Sequence, residues 1–353
     1  MQEYRIIGVM SGTSLDGVDI AYCTFKRNSE KWFFEIQEAI TVEYDKIWKE
    51  RLSTVEKSIA LDLIKTNNDY GYYLGELINR FIQETSIKPD LISSHGHTIF
   101  HQPEKKITYQ IGSGAAIAAI TNLPVICDFR TLDVALGGQG APLVPIGDEQ
   151  LFSDYNYCLN LGGIANVSYN NGKHTTAFDI CPVNIVLNYL AGLLGYDYDR
   201  DGLFSAAGFI NQSLLNELSQ LIYYKTPAPK SLGKEWVMET FIPIIDKHPL
   251  SIEDKLATVS EHIAMKIMDS LPDKKADLNM LITGGGAFNQ HLIERIKKKC
   301  PFNIIIPDSK TINYKEALIF AFLGVLRVRN EVNCLKSVTG ALKNNIGGTI
   351  YQG

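Results

Sequence analysis

Apolar and polar positions alternate from the start of the chain. Ile6, Ile7, Val9 and Met10 lead into Ser11-Gly12-Thr13-Ser14-Leu15-Asp16-Gly17, and Val18, Ile20 and Tyr22 lead out with polar residues between them. That order predicts a strand, a tight turn and a second strand. Lys31 to Val42 reads as a further strand. From about Tyr44 to Glu84 the chain is polar and helical in spacing, with Tyr70, Tyr73, Leu74, Leu77, Ile78 and Phe81 recurring at three and four residues on one face. Leu91 to Ser94 is a short buried-type strand running into His95-Gly96-His97. Ile107 to Ile111 and Pro124 to Cys127 are further strands, with a small-residue helix, Gly114 to Ile120, between them. Strands and helices alternating after a hairpin predict an α/β domain with a mixed sheet. Gly137-Gly138-Gln139-Gly140-Ala141-Pro142 reads as a flexible, extended domain junction.

The second half opens as the first did. Tyr157 to Leu161 is strand-like, Gly162-Gly163 is a turn, Ile164 to Tyr169 is a strand, and a third strand ends at Asp179. Helices are expected at Asn184–Leu194, Ser213–Tyr223, Ile252–Ser270, Gln290–Lys299 and Tyr314–Val328. Strands are expected at Leu278–Thr283, running into Gly284-Gly285-Gly286, and at Asn303–Ile306. Two domains of one plan, each with a glycine turn, would bring both turns to one cleft.

Composition narrows the function. The 353 residues suffice for two domains, and 45% hydrophobic with 21% charged residues fits a soluble globular protein. A net charge of −5 without a long basic run argues against nucleic acid or an anionic membrane as the main partner. The six cysteines (23, 127, 158, 181, 300 and 334) are scattered with no Cys-x-x-Cys pair, which suggests reduced thiols and a cytoplasmic home. No basic region precedes an apolar run at the N-terminus, so no signal peptide is expected. The longest apolar run, Ala317 to Leu326, is too short to span a bilayer.

Several stretches carry candidate chemistry. The Gly12–Gly17 turn offers glycines for unusual backbone angles, and its N–H and hydroxyl groups suit an anionic oxygen. Asp16 and Asp19 make sense there if a divalent cation bridges carboxylate and phosphate. A plain hairpin turn explains the same residues. Asp179, at a strand end before a helix, is either a general base or a helix cap. Gly284, Gly285 and Gly286 let backbone approach a ligand, with a helix N-terminus behind them to favour anions. Asp128-Phe129-Arg130 offers either a guanidinium clamp for a carboxylate or a structural Arg–Asp pair. His95, His97 and His101 invite a metal site, but no carboxylate lies within the segment, and polar groups at the rim of the cleft explain them as well. Asp197 to Gly202 mimics the start of a calcium loop, but Gly208 stands where the bidentate Glu is needed.

Taken together, the runs resemble one family. They are Gly8 to Asp19, Ser94-His95-Gly96, Tyr109 to Gly112, Asp128-Phe129-Arg130, Gly137 to Pro145, Asn160 to Asn166 and Phe178-Asp179. Asp199 to Gly202, Pro229-Lys230-Ser231, Gly284 to Asn289, Glu316-Ala317 and Val338 to Ala341 continue the series. In this order, over nearly the whole chain, they are similar to anhydro-N-acetylmuramic acid kinases of the sugar kinase/Hsp70/actin superfamily. The resemblance implies two RNase H-like domains, of the actin/hexokinase type with mixed sheets, around a central nucleotide cleft. Domain I would take residues 1–135 plus about 312–353, and domain II 136–311. It implies ATP and Mg²⁺ as cofactors, an amino sugar as partner, and room for a homodimer. The reaction would open 1,6-anhydro-N-acetylmuramic acid with water and phosphorylate O6, in peptidoglycan recycling. By carry-over Asp179 is the base that activates water. The nucleotide falls to Gly12, Thr13, Ser14, Leu15, Asp16, Gly17, Val18, Asp19, Gly162, Gly163, Gly284, Gly285 and Gly286. The sugar falls to His95, His97, Arg130, Gln139 and Asn184, and Mg²⁺ to Asp16.

Two departures stand out. The family usually follows its catalytic Asp with Thr-Gly-Pro-Gly-Asn, whereas this chain has Ile180-Cys181-Pro182-Val183-Asn184. A valine in a glycine-only conformation would cost about 1–3 kcal/mol. The family also commonly has Gln where His97 stands. The rivals are therefore a related kinase of altered specificity or low activity, and a metal-dependent hydrolase built on His95, His97 and His101.

Overall fold

The structure is a computed structural model that describes residues 2–12, 15–29, 31–228 and 230–353. Its strands are β1 (Glu3–Ser11), β2 (Gly17–Arg27), β3 (Trp32–Glu43), β4 (Leu91–Gln102), β5 (Ile107–Ile111), β6 (Val125–Cys127), β7 (Tyr157–Leu161), β8 (Ile164–Asn170), β9 (Thr175–Pro182), β10 (Asn279–Thr283), β11 (Asn303–Ile305) and β12 (Thr349–Tyr351). The chain forms two compact units, Met1–Leu151 with Tyr314–Gly353, and Phe152–Asn313.

Both units use one strand order. In the first, β3, β2 and β1 are antiparallel, then β4 lies parallel to β1 and β6 parallel to β4. In the second, β9, β8 and β7 are antiparallel, then β10 lies parallel to β7 and β11 parallel to β10. The first sheet adds β5 on β4 and β12 on β6. Each unit is thus an α/β domain with a mixed sheet, and the repeat anticipated at the glycine turns extends to five strands of each sheet. No helix of the described residues is long and apolar enough to cross a membrane.

Helices cover the first sheet on both faces. Ile7, Val9, Ile20 and Ile92 pack with Tyr70, Leu74 and Ile78 of the Ala60–Thr85 helix, the apolar face expected from spacing. The expected single helical section divides, because Ser58 bonds back to the Val55 carbonyl through its N–H and its hydroxyl and so ends the first piece. On the other face lies the Ser309–Val328 helix. A Cβ on Gly8 would stand 2.0 Å from the Ala317 carbonyl oxygen, and the Ser93 hydroxyl donates to the Phe320 carbonyl at 2.5 Å. Small residues at this crossing let helix and strand backbones approach.

The stretch 137–142 is not a flexible linker. Fully buried Asp133 accepts hydrogen bonds from the Gly140 N–H, the Thr339 hydroxyl, the Asn345 amide and the Cys334 thiol. The Gln139 N–H donates to the Thr339 carbonyl. Beyond it, the Pro145–Leu151 helix stays with the first unit. Gly147 abuts Ile319, and Asp148 forms a buried ion pair with Lys315 at 2.7 Å. The unit therefore ends at Leu151 rather than at residue 135. Replacing Asp133 by Ala orphans four buried donors, which costs about 3 kcal/mol or more. The expected readout is a lower denaturant midpoint at unchanged slope.

Candidate active site

The turn between β1 and β2 is described at Ser11, Gly12 and from Leu15 onward. Thr13 and Ser14, both expected nucleotide contacts, lie outside the described residues. Leu15 takes the left-handed conformation, with φ 61°, and its N–H donates to the Gly12 carbonyl. Gly17 does not adopt that conformation. It is required for space, since a Cβ there would meet the Val42 carbonyl oxygen at 2.5 Å. Asp16 is exposed, Val18 is buried and Asp19 is half-buried. The Thr41 hydroxyl donates to Asp19 Oδ1 at 2.6 Å, and burial pushes the Asp19 carboxyl above its ordinary value. Glu316 was not read as a site residue from the sequence. Desolvation by the surrounding protein, then the Asp19 charge, raise its carboxyl, although the side chain still reaches solvent.

Behind this turn the Ser11 hydroxyl is hydrogen-bonded to the Tyr44 hydroxyl at 2.6 Å and to His97 Nδ1 at 2.9 Å, and Tyr44 continues to Tyr70. Burial lowers His97 to about 4, so its ring is neutral near pH 7. His95 is also buried. Its Nε2 accepts from Arg130 Nε and Nη2 at 3.0 and 2.9 Å, while Nδ1–H donates to the Gly96 carbonyl. Burial, then the Arg130 charge, hold His95 well below its usual value. Arg130 also donates to the Gly140 carbonyl at 2.7 Å, and burial lowers it to about 10.

Two alternatives end here. The structural Arg–Asp pair is absent among the described residues, because Arg130 turns to His95 while exposed Asp128 accepts the Thr131 N–H. The histidine metal site also fails. His95, His97 and His101 are engaged with Arg130, Ser11 and Thr108 respectively. Among the described residues no group of three His, Cys, Asp or Glu could hold a metal. The Gln139 residue is exposed at the surface of the same unit.

In the second unit Asp179 lies within β9, not at a helix head. The next helix, Asn184–Leu193, starts after Val183, so the capping alternative is excluded. The Leu232 N–H donates to Asp179 Oδ2 at 2.9 Å, and Oδ1 accepts no hydrogen bond among the described residues. Burial raises the Asp179 carboxyl, and the Leu232 N–H opposes this. Val183 has φ −130°, outside the left-handed region, so the loss of glycine there brings no left-handed strain. The Val183 and Asn184 N–H groups donate to the Gly163 and Gly162 carbonyls at 2.9 and 3.2 Å. The glycine pair thereby ties the β7–β8 turn to the helix start. Cys181 is fully buried, and burial pushes its thiol up.

The three later glycines do not open the long helix. Gly285–Phe288 is a 3₁₀ turn, and the Gln290–Lys299 helix is capped by Asn289 Oδ1, which accepts the Leu292 N–H. Gly284 needs its φ of 82°, and a Cβ would stand 2.5 Å from Asn160 Oδ1. At Gly286 a Cβ would meet Leu161 Cβ at 2.8 Å. Gly285 differs: it is exposed, and the nearest atom to its Cβ position is Asn184 Nδ2 at 3.6 Å. Asn184 Nδ2 itself donates to the Leu161 carbonyl. Asn160 and Asn184 thus stand at the junction of both glycine turns. The sequence reading missed Asn160, whose signal was a lone amide in an apolar strand just before two glycines. The calcium-like stretch is a helix cap, because Asp199 accepts the Phe204 and Ser205 N–H groups and the Ser205 hydroxyl.

This arrangement has relatives. The sequence model of the family "Anhydro-N-acetylmuramic acid kinase" matches residues 4–353. A Sulfurovum protein of that name is 34% identical, over 99% of this chain and all of that one. One from Coxiella burnetii is 34% identical over 100% and 99%, and one from Haemophilus influenzae 33% over 99% and 98%. Among solved structures, the activator of the 2-hydroxyisocaproyl-CoA dehydratase from Clostridium difficile is similar at a TM-score of 0.45 and 13% identity, over 93% of this chain and 98% of that one. Matched from end to end by profile and relatives alike, the chain belongs to the anhydro-N-acetylmuramic acid kinase family.

Proposed function

We propose that this kinase uses ATP to phosphorylate O6 of 1,6-anhydro-N-acetylmuramic acid while water opens the anhydro bridge, giving N-acetylmuramic acid 6-phosphate for peptidoglycan recycling. The observation that carries the reading is Asp179, a half-buried carboxylate with one oxygen tied to the Leu232 N–H and the other without a hydrogen-bond partner among the described residues. A base needs that lone pair and a proton affinity above that of an ordinary carboxylate. Asp179 takes a proton from water as the water oxygen bonds to C1. The C1–O6 bond breaks, and O6 accepts the γ-phosphoryl group as ADP leaves.

Transfer of that group is chiefly positioning and charge neutralisation. The Gly12–Asp19 turn holds phosphates, with Ser11 oriented from behind by His97 and Tyr44. Exposed Gly285 leaves room for the nucleotide to lie against backbone, beside Asn160 and Asn184 and near the Gly162-Gly163 turn. Arg130, aligned by His95, serves the sugar side with Gln139. Asp16, and Asp19 turned by Thr41, offer the hard oxygen ligands that Mg²⁺ takes, and Asp19 Oδ2 accepts no hydrogen bond among the described residues. When bound, Mg²⁺ supplies charge neutralisation at the phosphates. Cytoplasmic residence belongs to the same reading and agrees with cysteines that form no disulfide among the described residues.

Asp179→Asn is expected to abolish sugar phosphate formation, assayed by mass spectrometry with ATP and the anhydro sugar, while nucleotide binding persists. Turnover at the wild-type rate would remove Asp179 from the mechanism. Because the base must be deprotonated and burial raises its carboxyl, kcat/KM falls as pH drops, with a midpoint above the ordinary carboxylate value. A pH profile with no acid limb above that value would contradict the assignment. Gly285→Val is expected to leave folding intact and raise KM for ATP by about tenfold, or ~1.4 kcal/mol. Gly284→Val, by contrast, is expected to lower the melting temperature, since it meets Asn160 and a positive φ.

A further inference from the structure

β9 is the edge strand of the second sheet, so one side of its backbone has no strand partner among the described residues. At Asp179 that deficit is filled by a segment far along the chain. The Asp179 N–H donates to the Lys230 carbonyl at 3.1 Å. The Tyr223 hydroxyl donates to the Asp179 carbonyl at 2.6 Å, and the Leu232 N–H to its Oδ2 at 2.9 Å. The segment is fastened to itself. Lys230 Nζ donates to the Tyr223 carbonyl at 3.1 Å and stands 4.4 Å over the Tyr223 ring.

We propose that Tyr223, Lys230 and the Leu232 N–H form a buckle that positions Asp179 for catalysis, on both its main chain and its carboxylate. The proposal rests on the reading of Asp179 as the base. Three bonds to one residue exceed what edge protection needs, since a single main-chain pair would close the ladder. The bond to Oδ2 fixes which oxygen is occupied and leaves Oδ1 for the proton. Tyr223 and Lys230 do not touch the reacting atoms and are positioning residues. The titratable groups around Asp179 among the described residues are Tyr223 and Lys230 on the buckle, Cys181 on β9, and Tyr224 and Lys266 near Cys181, the latter on the Ile252–Ser270 helix. Burial pushes both the Tyr223 hydroxyl and the Cys181 thiol up, so neither ionises where a carboxylate does.

The test compares variants of the full chain in steady-state assays with ATP and the anhydro sugar. Tyr223→Phe keeps the ring under Lys230 and loses only the hydroxyl. It is expected to lower kcat by about 10- to 100-fold with KM within about twofold, the cost of a slightly misplaced reacting group. Lys230→Met is expected to do the same, and Lys230→Arg to restore much of the loss. Leu232→Pro removes the N–H donor that favours the charged carboxylate, so the acid limb of kcat/KM moves to higher pH. Should Leu232→Pro fail to fold, Tyr223→Phe and the Lys230 pair decide. Wild-type kcat in Tyr223→Phe and Lys230→Met, with Asp179→Asn inactive, overturns the buckle and leaves the base standing. Full turnover in Asp179→Asn overturns the base itself, whatever the buckle variants do.

Discussion

Close approach of backbone to backbone at glycine is the constraint on which both units depend. At Gly8 the first strand runs so near the Ser309–Val328 helix that a Cβ would sit 2.0 Å from a carbonyl oxygen. Three residues later the same strand ends at Ser11 and enters the turn proposed to hold phosphates. In the second unit Gly284 and Gly286 press against Asn160 and Leu161, at the end of the strand that enters the Gly162-Gly163 turn. Each of these turns therefore takes its position from a packed contact in its own core. A close-packed interior moves little, so the turns start from fixed points.

This kinase's fold was largely legible in its sequence, because its strands are short apolar runs stopped by glycine and its helices keep one apolar face. Tyr70, Leu74 and Ile78 were placed by spacing alone and do form that core. Partners far along the chain were not legible. Nothing local shows that Arg130 turns from Asp128, two residues away, to His95, or that residue 140 is tied to Asp133 and through it to Thr339 and Asn345. Such contacts depend on how strands pair, and spacing carries no record of it. Glycine was also overread. Gly17 is needed for space against β3, while Leu15 supplies the left-handed turn. Val183 stands at a helix start with an ordinary negative φ, so its departure from the family costs less than the residue type suggested.

The candidate site was legible only as residue types. An aspartate after an apolar strand could cap a helix or take a proton; its place within β9 removes the cap, and its hydrogen-bond partners leave one oxygen open among the described residues. Those partners lie more than forty residues downstream, at Tyr223, Lys230 and Leu232. The paired histidines taught the opposite lesson. They looked like metal ligands by spacing, yet both are buried and kept neutral by burial, His95 hydrogen-bonded to Arg130 and His97 to Ser11.

Donor count sets the two aspartates with proposed chemistry apart from the most heavily bonded carboxylates of the chain. Asp133 receives four hydrogen bonds, Asp199 three, and Glu261 two cationic partners, Arg295 and Lys299. Each has both of its oxygens engaged by donors. Asp179 and Asp19 are also withdrawn from water, but each is held by a single hydrogen bond, from Leu232 N–H and the Thr41 hydroxyl. Burial raises both, as expected when desolvation outweighs the bonds made to the charged form. A half-buried carboxylate left short of donors is unfavourable for folding. One fixed oxygen and one open oxygen is nevertheless the state needed to take a proton or a cation. Asp179 and Asp19 are thus half-buried carboxylates that keep one oxygen open among the described residues, and the work proposed for both requires it.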